Sequence, residues 1–69
     1  MRKNILPVAA MEKLLKKAGA PRVSQSGKDA LRNVLEEYAE KIGKRAVEFS
    51  RHSGRKTIKA SDIKLASRE

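Results

Sequence analysis

The 69-residue chain contains no cysteine, one histidine and two aromatic residues. Without cysteine it can form neither a disulfide nor a zinc–thiolate site, and it has no thiol for catalysis. No apolar run is long enough for a transmembrane helix or a secretory signal core, so we expect a soluble, intracellular, single-domain protein. Recognition of single-stranded RNA relies on exposed aromatic residues that stack on bases. It is disfavoured here, because the two aromatic residues, Tyr38 and Phe49, lie on predicted apolar faces.

Catalytic and metal-binding groups are equally scarce. His52 is the only histidine, and no second His or Cys is available to complete a closed metal site with it. The chain shows no nucleophile paired with a base and no glycine-rich phosphate loop. We therefore predict that the protein is not an enzyme and has no cofactor, metal or small-molecule substrate.

Positive charge is abundant and unevenly distributed. The net charge is +9, which favours a polyanionic partner, either nucleic acid or an anionic membrane. Residues 1–24 hold six basic residues and one acidic residue, residues 25–49 hold five of each, and residues 50–69 hold six basic and two acidic residues. The pattern is two basic ends joined by a neutral middle, unlike the block of like charge in a disordered tail.

The spacing of apolar residues predicts three helices and no strand of useful length. Pro7 suits the first position of a short helix, and Gly19 suits its end. Ser24 can cap a second helix of about 28 residues that stops at Ser53-Gly54. A short third helix follows from Lys59 or Ala60 to Ser67, with Ile63 and either Leu65 or Ala66 turned inward.

A helix this long extends beyond what two short helices can cover, so the sequence predicts an obligate homodimer. If two long helices cross antiparallel about a two-fold axis, residues 19–24 of one chain meet residues 53–59 of the other. The basic ends then merge into paired cationic sites, which suit the phosphates of a duplex. Gly43 would permit close backbone approach near the crossing. The predicted dimer core comprises Leu31, Val34, Leu35, Tyr38 and Ile42.

Three stretches resemble an archaeal histone: AGAPRVS (18–24), LEEYAEKI (35–42) and RHSGRKTIKASDIKLA (51–66). The resemblance covers nearly the whole chain, and the third stretch is specific to histone-fold proteins. It implies an all-α histone fold, in which two chains form a handshake homodimer that wraps double-stranded DNA without reading its sequence. Dimers of this family also join end to end through a four-helix bundle, forming nucleosome-like or superhelical chromatin.

The resemblance also suggests boundaries and a location. Residues 6–69 would form the histone-fold domain, and residues 1–5 would be a basic N-terminal extension. The protein would be cytoplasmic and associated with the chromosome or nucleoid.

DNA-contacting residues can be assigned by the same resemblance. Arg22 would insert into an inward-facing minor groove, the mode that reads deformability rather than base identity. Lys56 and Thr57 would contact phosphates, and Lys13 matches a DNA-contacting position on the first helix. The alternative for each is a solvated surface residue. The predicted DNA-binding set is Lys13, Lys16, Lys17, Arg22, Arg55, Lys56 and Thr57.

Two further roles follow from the resemblance. Arg55 and Asp62 would form an intrachain salt bridge that fixes the second connector on the third helix. His52 would face Asp62 of a neighbouring dimer, with Phe49 and Leu65 supplying apolar contact. The alternative is a solvated histidine, with Phe49 and Leu65 in the ordinary core.

The sequence is also compatible with other functions. The chain could be a histone-fold subunit of a sequence-specific transcription complex, or could heterodimerise with a paralogous histone. A membrane-binding amphipathic peptide is disfavoured, because the polar face of the long helix is charge-balanced rather than basic.

Overall fold

The computed structural model describes residues 4–68, and in that range the regular secondary structure is all helical, without a strand. Helix α1 spans Val8–Lys17, α2 spans Gln25–His52 and α3 spans Ala60–Ser67. Residues 18–24 form loop 1, and residues 53–59 form loop 2. The predicted order of short, long and short helices is therefore confirmed. The contacts divide the chain into two compact units, one ending at Glu37 and one beginning at Tyr38.

Helix α1 begins one residue later than predicted. Pro7 has an extended ψ of 139° and is the N-cap rather than the first helical residue. The helix ends in a Schellman motif, in which Ala20 N donates to Leu15 O and Gly19 N donates to Lys16 O, both at 3.0 Å. Gly19 has a φ of +115°. A glycine is needed here because other L-residues rarely adopt that conformation.

Helix α2 has the limits that the sequence predicts. Ser24 Oγ accepts a hydrogen bond from Gly27 N at 3.0 Å, and thereby satisfies one of the unpaired N–H groups of the first turn. At the other end, Gly54 has a φ of +70°. Gly54 N donates to Arg51 O at 2.9 Å, and Arg55 N donates to Ser50 O at 3.0 Å. This second Schellman motif turns the chain directly into loop 2.

The segment before α1 is attached to α2 through Glu36. One carboxylate oxygen of Glu36 accepts hydrogen bonds from Ile5 N at 2.5 Å and Leu6 N at 2.7 Å. With its amide oriented to satisfy both neighbours, Asn4 donates to the other oxygen at 2.9 Å and accepts from Arg32 at 3.1 Å. Asn4 and Ile5, the described part of the predicted extension, are thus fixed to the helical domain. Residues 1–3 lie outside the described residues.

Burial in the single chain is limited to small or slender side chains. The buried apolar residues in the described range are Met11, Ala46 and Ala66. Of the α3 residues predicted to turn inward, Ala66 is buried, whereas Ile63 is 42% exposed and that expectation is wrong for the isolated chain. The large apolar side chains that remain exposed are Ile5, Leu14, Val34, Tyr38, Ile58, Ile63 and Leu65. None of the described helices has the length and apolar character needed to span a membrane.

Candidate nucleic-acid interface

Loop 1 displays Arg22 between two helix ends. The Schellman motif at Gly19 closes α1, and Ser24 opens α2 only two residues after Arg22. The Arg22 side chain is exposed. No ion pair to it is found within residues 4–68. A guanidinium in this state is available to an external anion.

The three predicted lysines of α1 do not share one environment. Lys13 and Lys17 are exposed, and the described chain provides neither with an acidic partner. Lys16 Nζ lies 3.4 Å from a carboxylate oxygen of Glu12. The other Glu12 oxygen lies 3.7 Å from Lys28 Nζ on α2. Sequence reasoning did not distinguish Lys16 from Lys17, although the i, i+4 spacing from Glu12 is a usable signal.

Loop 2 is attached to α3 by a bidentate ion pair. Arg55 Nη1 donates to Asp62 Oδ2 at 2.9 Å, and Arg55 Nη2 donates to Asp62 Oδ1 at 3.0 Å. Asp62 Oδ2 also accepts from Lys59 N at 2.8 Å, where Lys59 is the N-cap of α3. The pair named from the resemblance is therefore present, and it joins the loop to the first turn of α3.

Hydrogen bonding also changes the acid–base behaviour of this pair. Donation from Arg55, and then from Lys59 N, lowers the pKa of Asp62 below its ordinary value. The same hydrogen bond from Asp62 raises the pKa of Arg55. Both effects favour the charged forms, so the ion pair is ionised at neutral pH.

Ser50 attaches the same loop to α2, a role that no pattern in the sequence indicates. Its side chain is buried in the last turns of α2, where Oγ lies 2.9 Å from Arg55 O and 3.2 Å from Thr57 O. Arg55 Nη1 donates to Thr57 O at 3.1 Å as well. Loop 2 is therefore held from both flanking helices, while the side chains of Lys56 and Thr57 remain exposed.

The Arg55 side chain is engaged within the chain more fully than those of the other predicted DNA-binding residues. Three of its five N–H donors are used within the chain, by Asp62 and by Thr57 O. Its guanidinium is therefore mainly committed to shaping loop 2. This geometry argues against the prediction that Arg55 is a primary phosphate contact, and assigns it a positioning role.

The residues predicted for the dimer–dimer contact belong to the end of α2 and to α3. His52 and Leu65 are exposed, and Phe49 is half-buried. Asp62 differs from them because it is only 2% exposed and its carboxylate already accepts three hydrogen bonds. A histidine from another dimer would have to share Oδ1, which accepts a single bond here. Within residues 4–68, no three His, Asp or Glu side chains gather as metal ligands would.

Comparison with known proteins identifies the family of this chain. Residues 4–66 match the family described as histone-like transcription factor (CBF/NF-Y) and archaeal histone. The chain is 56% identical over 61 residues to a subunit of the archaeal histone HAN1 from Thermococcus zilligii, covering 88% of this chain and 91% of that protein. It is 44% identical over 63 residues to Probable archaeal histone 3 of Methanocaldococcus jannaschii, covering 91% and 94% of the two chains.

A eukaryotic protein is also similar. Histone H4 of Entamoeba histolytica is 30% identical over 57 residues, which is 83% of this chain and 48% of that protein. The family match spans all three helices and both loops. On the family match and these identities, the chain belongs to the archaeal histone family, whose members are DNA-binding chromatin proteins and not enzymes.

Proposed function

We propose that this histone forms a homodimer that binds and wraps double-stranded DNA through phosphate contacts, largely without reading base sequence. The observation that carries the proposal is the preorganised loop 2. Ser50 and Asp62 fix its backbone through Arg55 O and Lys59 N, while Lys56 and Thr57 keep exposed side chains. An ammonium and a hydroxyl on a fixed backbone suit phosphate oxygens, and phosphate contacts position a protein without specifying sequence.

Dimerisation is supported by the apolar surface of the long helix. Helix α2 has 28 residues, equivalent to roughly 42 Å. Val34 is 61% exposed and Tyr38 is 55% exposed on this helix, and both belong to the predicted dimer core. The other predicted core residues, Leu31, Leu35 and Ile42, are partly buried. A second copy crossing α2 would remove this surface from water, which is the main driving force of association.

The dimer would combine the loops of two chains into paired cationic sites. In the antiparallel handshake, loop 1 of one protomer would lie beside loop 2 of its partner. Arg22 would then enter the minor groove between the phosphates contacted by Lys56 and Thr57. Lys13 and Lys17 of α1 would extend the cationic surface, since both are exposed.

Nuclease protection on mixed-sequence duplex DNA tests wrapping. We expect a ladder of protected lengths with regular increments as dimers are added, and a steep loss of binding with salt. Arg22→Ala and Lys56→Ala should weaken binding on all sequences and reduce the salt slope by about 0.9 for each phosphate that the variant no longer neutralises. Lys44→Ala is the matched control, because Lys44 is an exposed cation of α2 outside both loops. Equal behaviour of all three variants would overturn the assignment of the loops.

End-to-end assembly of dimers is a separate part of the proposal. Phe49, His52 and Leu65 would form the contact, and Asp62 would contribute only through Oδ1. Phe49→Glu should leave the dimer intact but prevent compaction of long DNA, because it places a charge in an apolar contact. Normal compaction by a folded Phe49→Glu dimer would refute this contact.

The family description supplies a second candidate, a subunit of a sequence-specific transcription complex. That description also covers histone-like transcription factors, whereas the relative that is named as a subunit is a subunit of an archaeal histone. A heterodimer with a paralogous histone would fit the same apolar surface. Protection of one site with a strong sequence preference, or failure of the purified chain to dimerise, would favour these alternatives.

Wrapping would place the protein on the chromosome, in the cytoplasmic nucleoid.

A further inference from the structure

Glu12 occupies an unusual place in the basic N-terminal half of the chain. It is the only acidic residue before Asp29. Its two carboxylate oxygens contact different lysines, with Lys16 Nζ at 3.4 Å and Lys28 Nζ at 3.7 Å. One carboxylate thus contacts a cation on its own helix and a cation on α2.

Lys28 lies in the first turns of α2, where the helix dipole makes a positive side chain unfavourable. Helix α2 begins at Gln25 and has no acidic residue in its first turn. The N-terminus of a helix carries a partial positive charge, so an ammonium at Lys28 adds to an already positive potential. The Lys28 side chain is only 18% exposed, which reduces screening by water. Glu12 supplies the negative charge that this position requires.

A DNA phosphate could supply the same charge. Its oxygens accept hydrogen bonds from ammonium groups as a carboxylate does, and helix N-termini are common anion sites. Lys16 belongs to the predicted DNA-binding set and has a side chain that is 54% exposed. In the free protein, however, Glu12 already neutralises part of the charge of Lys16 and Lys28.

We propose that Glu12 is an affinity-determining residue, an intramolecular competitor that withholds Lys16 and Lys28 from DNA phosphate. This inference rests on the proposed function, since it concerns how strongly the same surface binds a duplex. While the ion pairs hold, these two lysines release few counterions on binding. The wild-type protein then binds DNA more weakly, and with a shallower salt dependence, than its lysine content implies.

Equilibrium binding to a fluorescently labelled, mixed-sequence duplex over a series of KCl concentrations tests this role. Glu12→Gln should lower Kd at least about threefold at low salt and steepen the salt slope by roughly 0.9 for each lysine released to phosphate. Glu40→Gln is the matched control. Glu40 is an exposed carboxylate on α2 without an ion pair in the described chain, and its neutralisation changes the net charge equally.

A mutant cycle separates local competition from a structural effect of Glu12. In the wild-type background Lys28→Gln should change Kd little, whereas in the Glu12→Gln background it should remove a large part of the gain. Circular dichroism and the dimer mass of each variant establish that it remains folded. Glu12→Asp is a second variant, because its shorter side chain moves the negative charge away from the two lysines.

Two outcomes would contradict the role of Glu12, and a third would contradict the proposed function. Equal gains from Glu12→Gln and Glu40→Gln would mean that only net charge matters, and would overturn the inference. Weaker binding by a folded Glu12→Gln dimer would show that Glu12 positions the lysines instead, and would also overturn it. If the wild type and both variants fail to bind duplex DNA, the proposed function itself is wrong.

Discussion

Replacing Ser50 with alanine should loosen loop 2 without disturbing any side chain that would contact DNA. The substitution removes one oxygen from a buried position and leaves almost no cavity. Thr57 O retains the hydrogen bond from Arg55 Nη1 at 3.1 Å, so only Arg55 O loses its donor. Arg55 O is part-buried, and the cost of leaving such an acceptor without a donor lies at the lower end of about 1–3 kcal/mol. With one such acceptor, we expect a loss of about 1–2 kcal/mol per chain.

Thermal unfolding is a direct assay for this loss. The expected fall in the midpoint is roughly 5–15 °C for a domain of this size. Protein concentration must be held constant, because the unfolding of a dimer depends on it. Ser53→Ala is the matched control, since Ser53 is exposed at the start of loop 2 and its hydroxyl makes no hydrogen bond in the described chain. The control should stay within about 0.5 kcal/mol of the wild type.

DNA binding should weaken together with stability in Ser50→Ala. A less ordered loop must be fixed when Lys56 and Thr57 meet phosphate, and about 1.4 kcal/mol of ordering corresponds to about tenfold in Kd. We therefore expect up to about a tenfold loss of affinity with an unchanged salt slope, because no phosphate contact is removed. If Ser50→Ala matches Ser53→Ala in both midpoint and Kd, the hydroxyl does not brace loop 2 and the reasoning fails.

Three further substitutions test other parts of the structure. The lowered pKa of Asp62 means that its contribution to stability is present above about pH 4 and is lost as pH falls through that lowered value. Asp62→Asn should therefore flatten the plot of thermal midpoint against pH below about 4, and an unchanged acid loss would contradict this. Glu36→Gln should accelerate amide exchange at Ile5 and Leu6 but not at Ala46, whereas equal protection would show that Glu36 does not hold the segment. A Cβ on Gly43 would meet nothing within 4 Å, so Gly43→Ala should stabilise the protein by about 0.5–1 kcal/mol in thermal unfolding, and a loss would reveal close approach by a partner chain.

Helix limits were predictable because their causes are local. Gly19 and Gly54 provide the positive φ that ends a helix, and Ser24 provides the cap that starts one. Each signal acts over fewer than about six residues, which sequence patterns can detect. The one-residue error at Pro7 has a local cause too, since a fixed φ suits both the N-cap and the first helical position.

Contacts between distant residues were not predictable by pattern. Ser50 lies near the end of α2, and its hydroxyl gains a role only when loop 2 folds back over it. Glu36 receives N–H groups about 30 residues away, which no local pattern encodes. Apolar periodicity assigns Val34 and Tyr38 to one face of α2, and the single chain leaves both exposed. Periodicity does not reveal whether a second chain covers them, so their place in a dimer core stays a prediction.

The hydrogen bonds around loop 2 make the proposed DNA contact and the position of α3 interdependent. Arg55 is tied to α3 through Asp62 and to Thr57 through its carbonyl, so a displacement of the first turn of α3 must alter the loop that displays Lys56. Leu65, proposed to contact another dimer, lies on the same short helix. Coupling free energies are reciprocal. If dimer–dimer contact favours the α3 position that holds loop 2, phosphate binding at loop 2 must favour dimer–dimer contact to the same extent. Phe49→Glu should then lower cooperativity on long DNA while leaving the affinity of one dimer for a short duplex unchanged.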